Sequence, residues 1–556
     1  KGPERLYFGN QKVFRTSDGG AHWDAISEDL TRADPGVPPN LDAVTAANNL
    51  GQGPRRGVVY TIAPSPIEAN LLWVGTDDGL VWRSDDDGAH WSNVTPHELA
   101  AWSKVGGIDA SHFDAATAYI AVDRHRLDDR KPYIYRTHDG GASWQLVVAG
   151  IHDGDFVNAV REDPKKKGLL YAATELGMYV SFDDGDEWQP LQANLPRTSV
   201  RDIDVHGDDL VIATHGRGFW IMDDVSALRQ LAPDAKLETR LFAPATAIRT
   251  RIATFTGTPL PKDEPMASNP PSGAMIDYAL EKPARKAVEL SIREANGALV
   301  RRYSSVDPRP NRDPAKSASA PEWILAPAHL ETSAGMHRFV WPICYAKPAT
   351  LADGDTDTDG VWAPPGRYTV ELAVDGRTFR APLTIAPDPR VHLDNAVYAE
   401  QFALARKIES DQERLAIAAS EAKQLHKGIA EARKNAASDT KLLAALDAFD
   451  ADVVARAGLV DAGNAHNAWS MPPTTTTNLR FVGETLGTLA TAVDGADAAP
   501  TPDAIAGYVA AKALLDRALA DWRALKSTSL DAVNAELRQA GHEPLSLVAG
   551  KANGKR

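Results

Sequence analysis

The sequence predicts a multidomain, mainly β chain: β-propeller blades first, then an immunoglobulin-like β-sandwich, then a C-terminal α-helical bundle. Three observations carry this. An octapeptide of the form Ser/Thr-x-Asp-x-Gly-x-x-Trp recurs four times before residue 190, strand-like runs joined by Gly-containing turns continue to about residue 390, and the chain then becomes Ala-rich with a period near 3.6.

The octapeptides are Thr16 to Trp23, Ser84 to Trp91, Thr137 to Trp144 and Ser181 to Trp188. Short β runs flank each, as in Leu80-Val81-Trp82-Arg83 and Trp144-Gln145-Leu146-Val147, which is the pattern of a hairpin. The Asp accepts hydrogen bonds from turn amides, the Gly supplies positive φ, and the Trp packs between sheets. The motif therefore reads as a folding device, with its tryptophans buried. Two further strand-like runs precede each hairpin, for instance Val58 to Ile62 and Leu71 to Thr76, so each repeat holds four strands, as a propeller blade does. A fifth repeat without the octapeptide spans Val200 to Met222. Residues 1–225 thus yield about five blades, expected to be the C-terminal part of a larger propeller.

Residues 226–275 read as a connector. The sandwich is expected at 276–390, where Asn296-Gly297 and Asp375-Gly376 mark hairpin turns. Helices are expected at 393–545, divided by Met471-Pro472-Pro473, with a new start at Thr501-Pro502, and a disordered tail at 546–556.

Composition narrows the function classes. Lys and Arg total 60 against 75 Asp and Glu, a formal charge of −15 that disfavours nucleic acid as a partner. The single cysteine, Cys344, excludes an intrachain disulfide and paired-cysteine zinc sites. No apolar run reaches the roughly 20 residues of a membrane span.

In a four-stranded blade the octapeptides occupy one face. The opposite rim collects Asp77, Asp78, the insertion Asp123-Arg124-His125-Arg126-Leu127-Asp128-Asp129-Arg130, Glu175, His215 and Arg217. Acids, guanidiniums and imidazoles on one rim suit a polar ligand. The bland alternatives are tight-turn chemistry at Asp77, Asp78 and Glu175, an internal ion-pair network in the insertion, and ring closure through His215 and Arg217. Hydrolysis of a glycosidic bond needs two carboxylates about 5 to 9 Å apart, and Asp78 with Glu175 are the candidates. Asp355, Asp357 and Asp359 place oxygens on alternate residues before Gly360, as a calcium loop does. Position twelve is Gly366 instead of Glu, so a solvated acidic loop is the alternative.

The octapeptides, Leu72 to Gly79, the segment Thr214-His215-Gly216-Arg217-Gly218-Phe219-Trp220, Gly335 to Trp341 and Pro364 to Val370 together resemble the bacterial relatives of sortilin. These carry Asp-box repeats and are often labelled BNR-repeat glycosyl hydrolases; the likeness covers about residues 1–390. It implies an extracytoplasmic protein, periplasmic or secreted with its signal upstream of residue 1, that binds polypeptide or glycan. The alternative it leaves open is a glycoside hydrolase. The expected partners are N-terminal blades of the same precursor, because an unclosed ring exposes a sheet edge and an apolar blade face.

Overall fold

The computed structural model describes residues 5–47, 55–233, 237–251, 270–308, 329–352, 358–436, 439–459 and 477–547. The chain divides into two compact units, Lys1–Lys236 and Leu237–Arg556. The first is β-rich; the second joins further sheets to a helical bundle.

Among the described residues, the first unit holds five antiparallel sheets. Sheet 1 holds β1 (Leu6–Gly9), β2 (Val13–Thr16) and β3 (Asp24–Ala25), and the short helix α1 (Ala43–Ala47) lies in the connection that follows. Sheet 2 is β4 (Val59–Pro64), β5 (Leu72–Thr76), β6 (Val81–Ser84) and β7 (Ser92–Asn93). Sheet 3 is β8 (Lys104–Ala110), β9 (Ala118–Asp123), β10 (Ile134–Thr137) and β11 (Gln145–Leu146). Sheet 4 is β12 (Val157–Glu162), β13 (Leu170–Thr174), β14 (Met178–Ser181) and β15 (Gln189–Pro190). Sheet 5 has three strands, β16 (Val200–His206), β17 (Asp209–Thr214) and β18 (Phe219–Met222).

Each sheet packs face to face on the next. Val74 meets Val13 and Leu30, Trp73 meets Ile108 and Ile120, Tyr119 meets Val157 and Leu170, and Tyr171 meets Ile203 and Leu210. The second strands of sheets 2 to 4 are therefore buried on both sides, which is why Leu72-Trp73-Val74-Gly75-Thr76 reads as a continuous run and not as an alternation. The first strands β4, β8, β12 and β16 lie side by side along one edge.

The octapeptides form the turns between the last two strands. Asp18, Asp86, Asp139 and Asp183 accept the backbone N–H of His22, His90, Ser143 and Glu187, and each also takes the hydroxyl that opens its octapeptide. The tryptophans differ: Trp188 is buried, Trp91 and Trp144 are half-buried, and Trp23 is 43% exposed. Burial was expected for all four. Trp23 departs from it because, among the described residues, no sheet covers that face of sheet 1.

In the second unit, residues of the expected connector supply two strands, β19 (Arg240–Leu241) and β20 (Ala247–Arg249). They join β21 (Ala274–Leu280), β22 (Glu289–Glu294), β23 (Leu299–Ser304), β24 (Gly335–Trp341), β25 (Cys344–Ala346), β26 (Asp359–Trp362), β27 (Gly366–Val374) and β28 (Arg377–Pro387). A three-stranded sheet ordered β19-β21-β24 and a five-stranded sheet ordered β20-β28-β27-β22-β23 share one core, with Ile276, Tyr278 and Trp341 against Leu290, Val370 and Leu372. Among the described residues, only β20 and β28 pair in parallel. The turns at Gly297 and at Asp375-Gly376 have positive φ, as the Asn-Gly and Asp-Gly pairs require.

The bundle comprises α2 (Asn395–Asn435), α3 (Thr440–Ala457), α4 (Leu479–Asp494), α5 (Pro502–Leu525) and α6 (Asp531–Gln539), around Ile408, Leu425, Leu446, Val482, Leu515 and Trp522. The Thr501 hydroxyl accepts the Ala504 N–H and Pro502 fills the first turn, where its missing N–H costs nothing. The Met471-Pro472-Pro473 break and residues 548–556 of the expected tail lie outside the described residues. No helix among the described residues is long and apolar enough to cross a membrane.

Candidate functional site

The first strands of sheets 2 to 5 share one irregularity. Their pairing with the second strands slips between Val59 and Thr61, Val105 and Gly107, Val157 and Ala159, and Val200 and Asp202. A β-bulge adds one unpaired residue and re-aims its side chain. The added residues are Tyr60, Gly106, Asn158 and Arg201. Next to them, at or one residue past the ends of the second strands, stand Asp77, Asp123, Glu175 and His215, and the N–H groups of Asp77, Glu175 and His215 donate to the carbonyls of Val58, Phe156 and Ser199. Four sheets thus present the same edge with different side chains.

The charges along this edge are matched. Lys104 Nζ lies 3.7 Å from Asp123 and 4.2 Å from the centre of the Tyr60 ring. Arg161 contacts Asp202 at 3.0 Å, and Arg201 contacts Glu175 at 3.4 Å. The Asn158 amide donates to the Val200 carbonyl at 2.8 Å. His125 places Nδ1 2.6 Å from Asp123 and stacks on Phe156, with ring centres 4.8 Å apart. Tyr60 itself is largely exposed. Nearby on β8, Asp109 accepts the Glu162 N–H at 2.7 Å; burial pushes its carboxyl up to about 6, against the pull of Arg161.

The sequence-predicted residues do not all fall in one place. Asp77, Glu175 and His215 lie on this edge. Asp77 accepts the Val58 N–H at 2.7 Å, and burial, with the Asp78 charge beside it, raises its pKa. Glu175 accepts the Ser199 hydroxyl at 2.6 Å besides pairing with Arg201. Asp78, in contrast, is fully buried. It binds the Arg32 N–H at 2.7 Å and the Thr76 hydroxyl, fastening the long connection from sheet 1 to sheet 2. Asp78 and Glu175 belong to sheets 2 and 4, so they are not on neighbouring sheets.

The insertion is tied both internally and to the connection that follows sheet 1. Arg124 pairs with Asp129 at 3.2 Å and lies over the Tyr133 ring, while Asn40 donates to the Arg126 carbonyl at 2.6 Å and to Asp128 at 3.2 Å. Arg217 sits on the exposed turn from Thr214 to Gly218, its N–H bound to the Thr214 hydroxyl. For calcium, Asp355 and Asp357 lie outside the described residues. Asp359 accepts from Arg301 at 2.5 Å. Sequence reasoning missed Tyr60, Lys104, Asn158, Arg161 and Arg201. Aligning the four first strands on the second strands that follow would have placed three of them at one position.

No family model matches the chain. No curated protein matches it either. Solved structures give remote likenesses at low identity. YCF48 from Cyanidioschyzon merolae is 17% identical over 34% of this chain and 60% of that one, with a TM-score of 0.23. YCF48 bound to D1 peptide is 15% identical over 44% and 77%, with a TM-score of 0.26. The GH74 xyloglucanase from Xanthomonas campestris is 14% identical over 70% and 78%, with a TM-score of 0.29. The chain spans 60% of the length of the first of these.

Proposed function

We propose that the five stacked sheets are Asp-box propeller blades, that the sheets of 276–390 form an immunoglobulin-like sandwich, and that this extracytoplasmic protein binds a neutral glycan along the bulged edge. The charge-matched row carries the reading: Lys104 with Asp123, Arg161 with Asp202 and Arg201 with Glu175 offer many donors and acceptors but little net charge. Such a surface suits a polyhydroxyl ligand, and the exposed Tyr60 ring offers an apolar platform for a sugar face. An anionic polymer would find each cation already neutralised.

The test is an array of neutral glycans, anionic glycans and peptides. Neutral glycans should bind, and Tyr60→Ala or Arg201→Ala should weaken binding about tenfold, roughly 1.4 kcal/mol. Preferential binding of peptides or polyanions would overturn the reading.

Asp109 favours a second reading, glycoside hydrolysis. A carboxyl pushed up to about 6 keeps its proton in mildly acidic water, as a general acid must. Turnover of a neutral polysaccharide would then fall as pH rises through about 6 and disappear in Asp109→Asn. Asp78→Asn and Glu175→Gln test the carboxylates chosen from sequence in the same assay. Absence of turnover across the panel would leave binding alone.

A further inference from the structure

The junctions between sheets 1 and 2, 2 and 3, and 3 and 4 are built to one recipe. The octapeptide Trp of the later sheet donates its indole N–H to a carbonyl just past the outermost strand of the earlier one: Trp91 to Ile26 at 2.9 Å, Trp144 to Val94 at 2.7 Å, Trp188 to Val147 at 3.0 Å. That same apolar residue presses its side chain onto the octapeptide Gly. A Cβ on Gly88, Gly141 or Gly185 would stand 2.8, 2.7 or 3.1 Å from Ile26, Val94 or Val147. A third-strand arginine of the earlier sheet reaches the carbonyl at the fourth octapeptide position: Arg15 to Asp87, Arg83 to Gly140, Arg136 to Asp184. The recipe also predicts its own absence. Sheet 5 has no octapeptide, and the third strand of sheet 4 carries Val180 at the arginine position.

Sheet 1 carries the receiving half of this recipe with nothing in it. Trp23 has no carbonyl acceptor and the Gly19 carbonyl no arginine among the described residues, and a Cβ on Gly20 would approach only Trp23 itself. Leu6 and Phe8 hold the register positions of Leu72 and Val74, by their pairing with Thr16 and Phe14. Leu72 and Val74 are wholly buried, whereas Leu6 is 54% and Phe8 57% exposed.

We infer that this face of sheet 1 is a docking socket for a four-stranded antiparallel sheet of the same repeat class, lying outside residues 5–236. Its partner must supply a third-strand arginine for the Gly19 carbonyl and an Ile, Val or Leu past its outermost strand, seated on Gly20 with its carbonyl on Trp23. Sheet 5 cannot supply these, from this chain or from a second copy. It ends at β18, has Ile221 where the arginine belongs, and has no fourth strand among the described residues. A head-to-tail pairing of copies through sheet 5 is thereby excluded as the occupant. The inference rests on the stacked-sheet part of the propeller reading and is independent of the ligand.

A photo-crosslinking residue at Phe8, in the full chain expressed in its native host, tests it. The crosslinked peptide should come from a strand of an octapeptide-bearing sheet outside residues 5–236, with an arginine shortly before the octapeptide. Trp23→Ala, an exposed change that leaves the chain folded, should lower the yield about tenfold, as loss of an indole bond and its packing would. Crosslinks to residues 200–222 of another copy, to proteins without such sheets, or to nothing above background would each overturn the inference. Glycan binding measured on the same samples keeps its failure separate from failure of the ligand reading.

Discussion

Trp188 and Trp23 stand at the same position of the same octapeptide, yet one is buried and bonded to Val147 while the other lies open beside Phe8. Their turns are alike: Asp183 and Asp18 accept equivalent backbone amides and equivalent hydroxyls. The octapeptide therefore folds its own turn without help from a neighbour. What a neighbour adds is the fate of the tryptophan and the glycine.

The largest expected effect tests the tryptophans. Trp188→Ala should cost about 3–5 kcal/mol in denaturant unfolding, since a large buried side chain leaves a cavity, and Trp23→Ala should cost less than about 1 kcal/mol. Equal costs would mean that Trp23 is buried in solution, as it would be with its socket filled.

Glycine replacement should give a smaller contrast. Gly88 and Gly20 both have φ above 90°, so alanine is strained at either, at about 1–2 kcal/mol. Only at Gly88 would the new methyl also collide with Ile26, adding about 1–3 kcal/mol. A Gly20→Ala cost matching that of Gly88→Ala would break the comparison.

The smallest effect should be a null one, in acid. Hydrogen bonds from His22, His90 and Ser143 hold the carboxyls of Asp18, Asp86 and Asp139 down to about 2. Carboxyls depressed in this way stabilise the fold fully above the unfolded value near 3.9, and that contribution is lost as pH falls through about 2. Side-chain NMR titration should therefore find Asp18 and Asp86 together. A midpoint for Asp18 close to 3.9 would show that the turn depends on coverage after all.

What was legible in the sequence follows the same division between local and nonlocal causes. The octapeptide turns, the Asn296-Gly297 and Asp375-Gly376 hairpins and the Thr501 cap are set by residues within a few positions of one another, and the structure shows them as expected. The bulges at Tyr60, Gly106, Asn158 and Arg201 arise from pairing with strands that follow in the chain, and nothing at those positions announces them. Asp78 illustrates the difficulty at the site. Its neighbours in sequence make a tight turn, but its partner Arg32 is brought to it by the connection from the previous sheet. Within the expected connector at 226–275 the same holds: β20 is a three-residue strand whose partner, β28, lies more than a hundred residues onward.

Arg249, at the end of β20, is almost wholly buried, and its guanidinium is held by Asp497, just past α4, and by the Ala363 carbonyl at 2.9 Å. Arg251 reaches Asp494 and Asp497 from the same segment, and both guanidiniums lie over the Trp362 ring. The sheets and the helices of the second unit are thus joined by charges that neither can leave unmatched. A protein cut between β28 and α2 would strip Arg249 of Asp497 and open its guanidinium to water, removing an ion pair that sheets and helices share. The sheets and the helices of the second unit should accordingly melt in one transition.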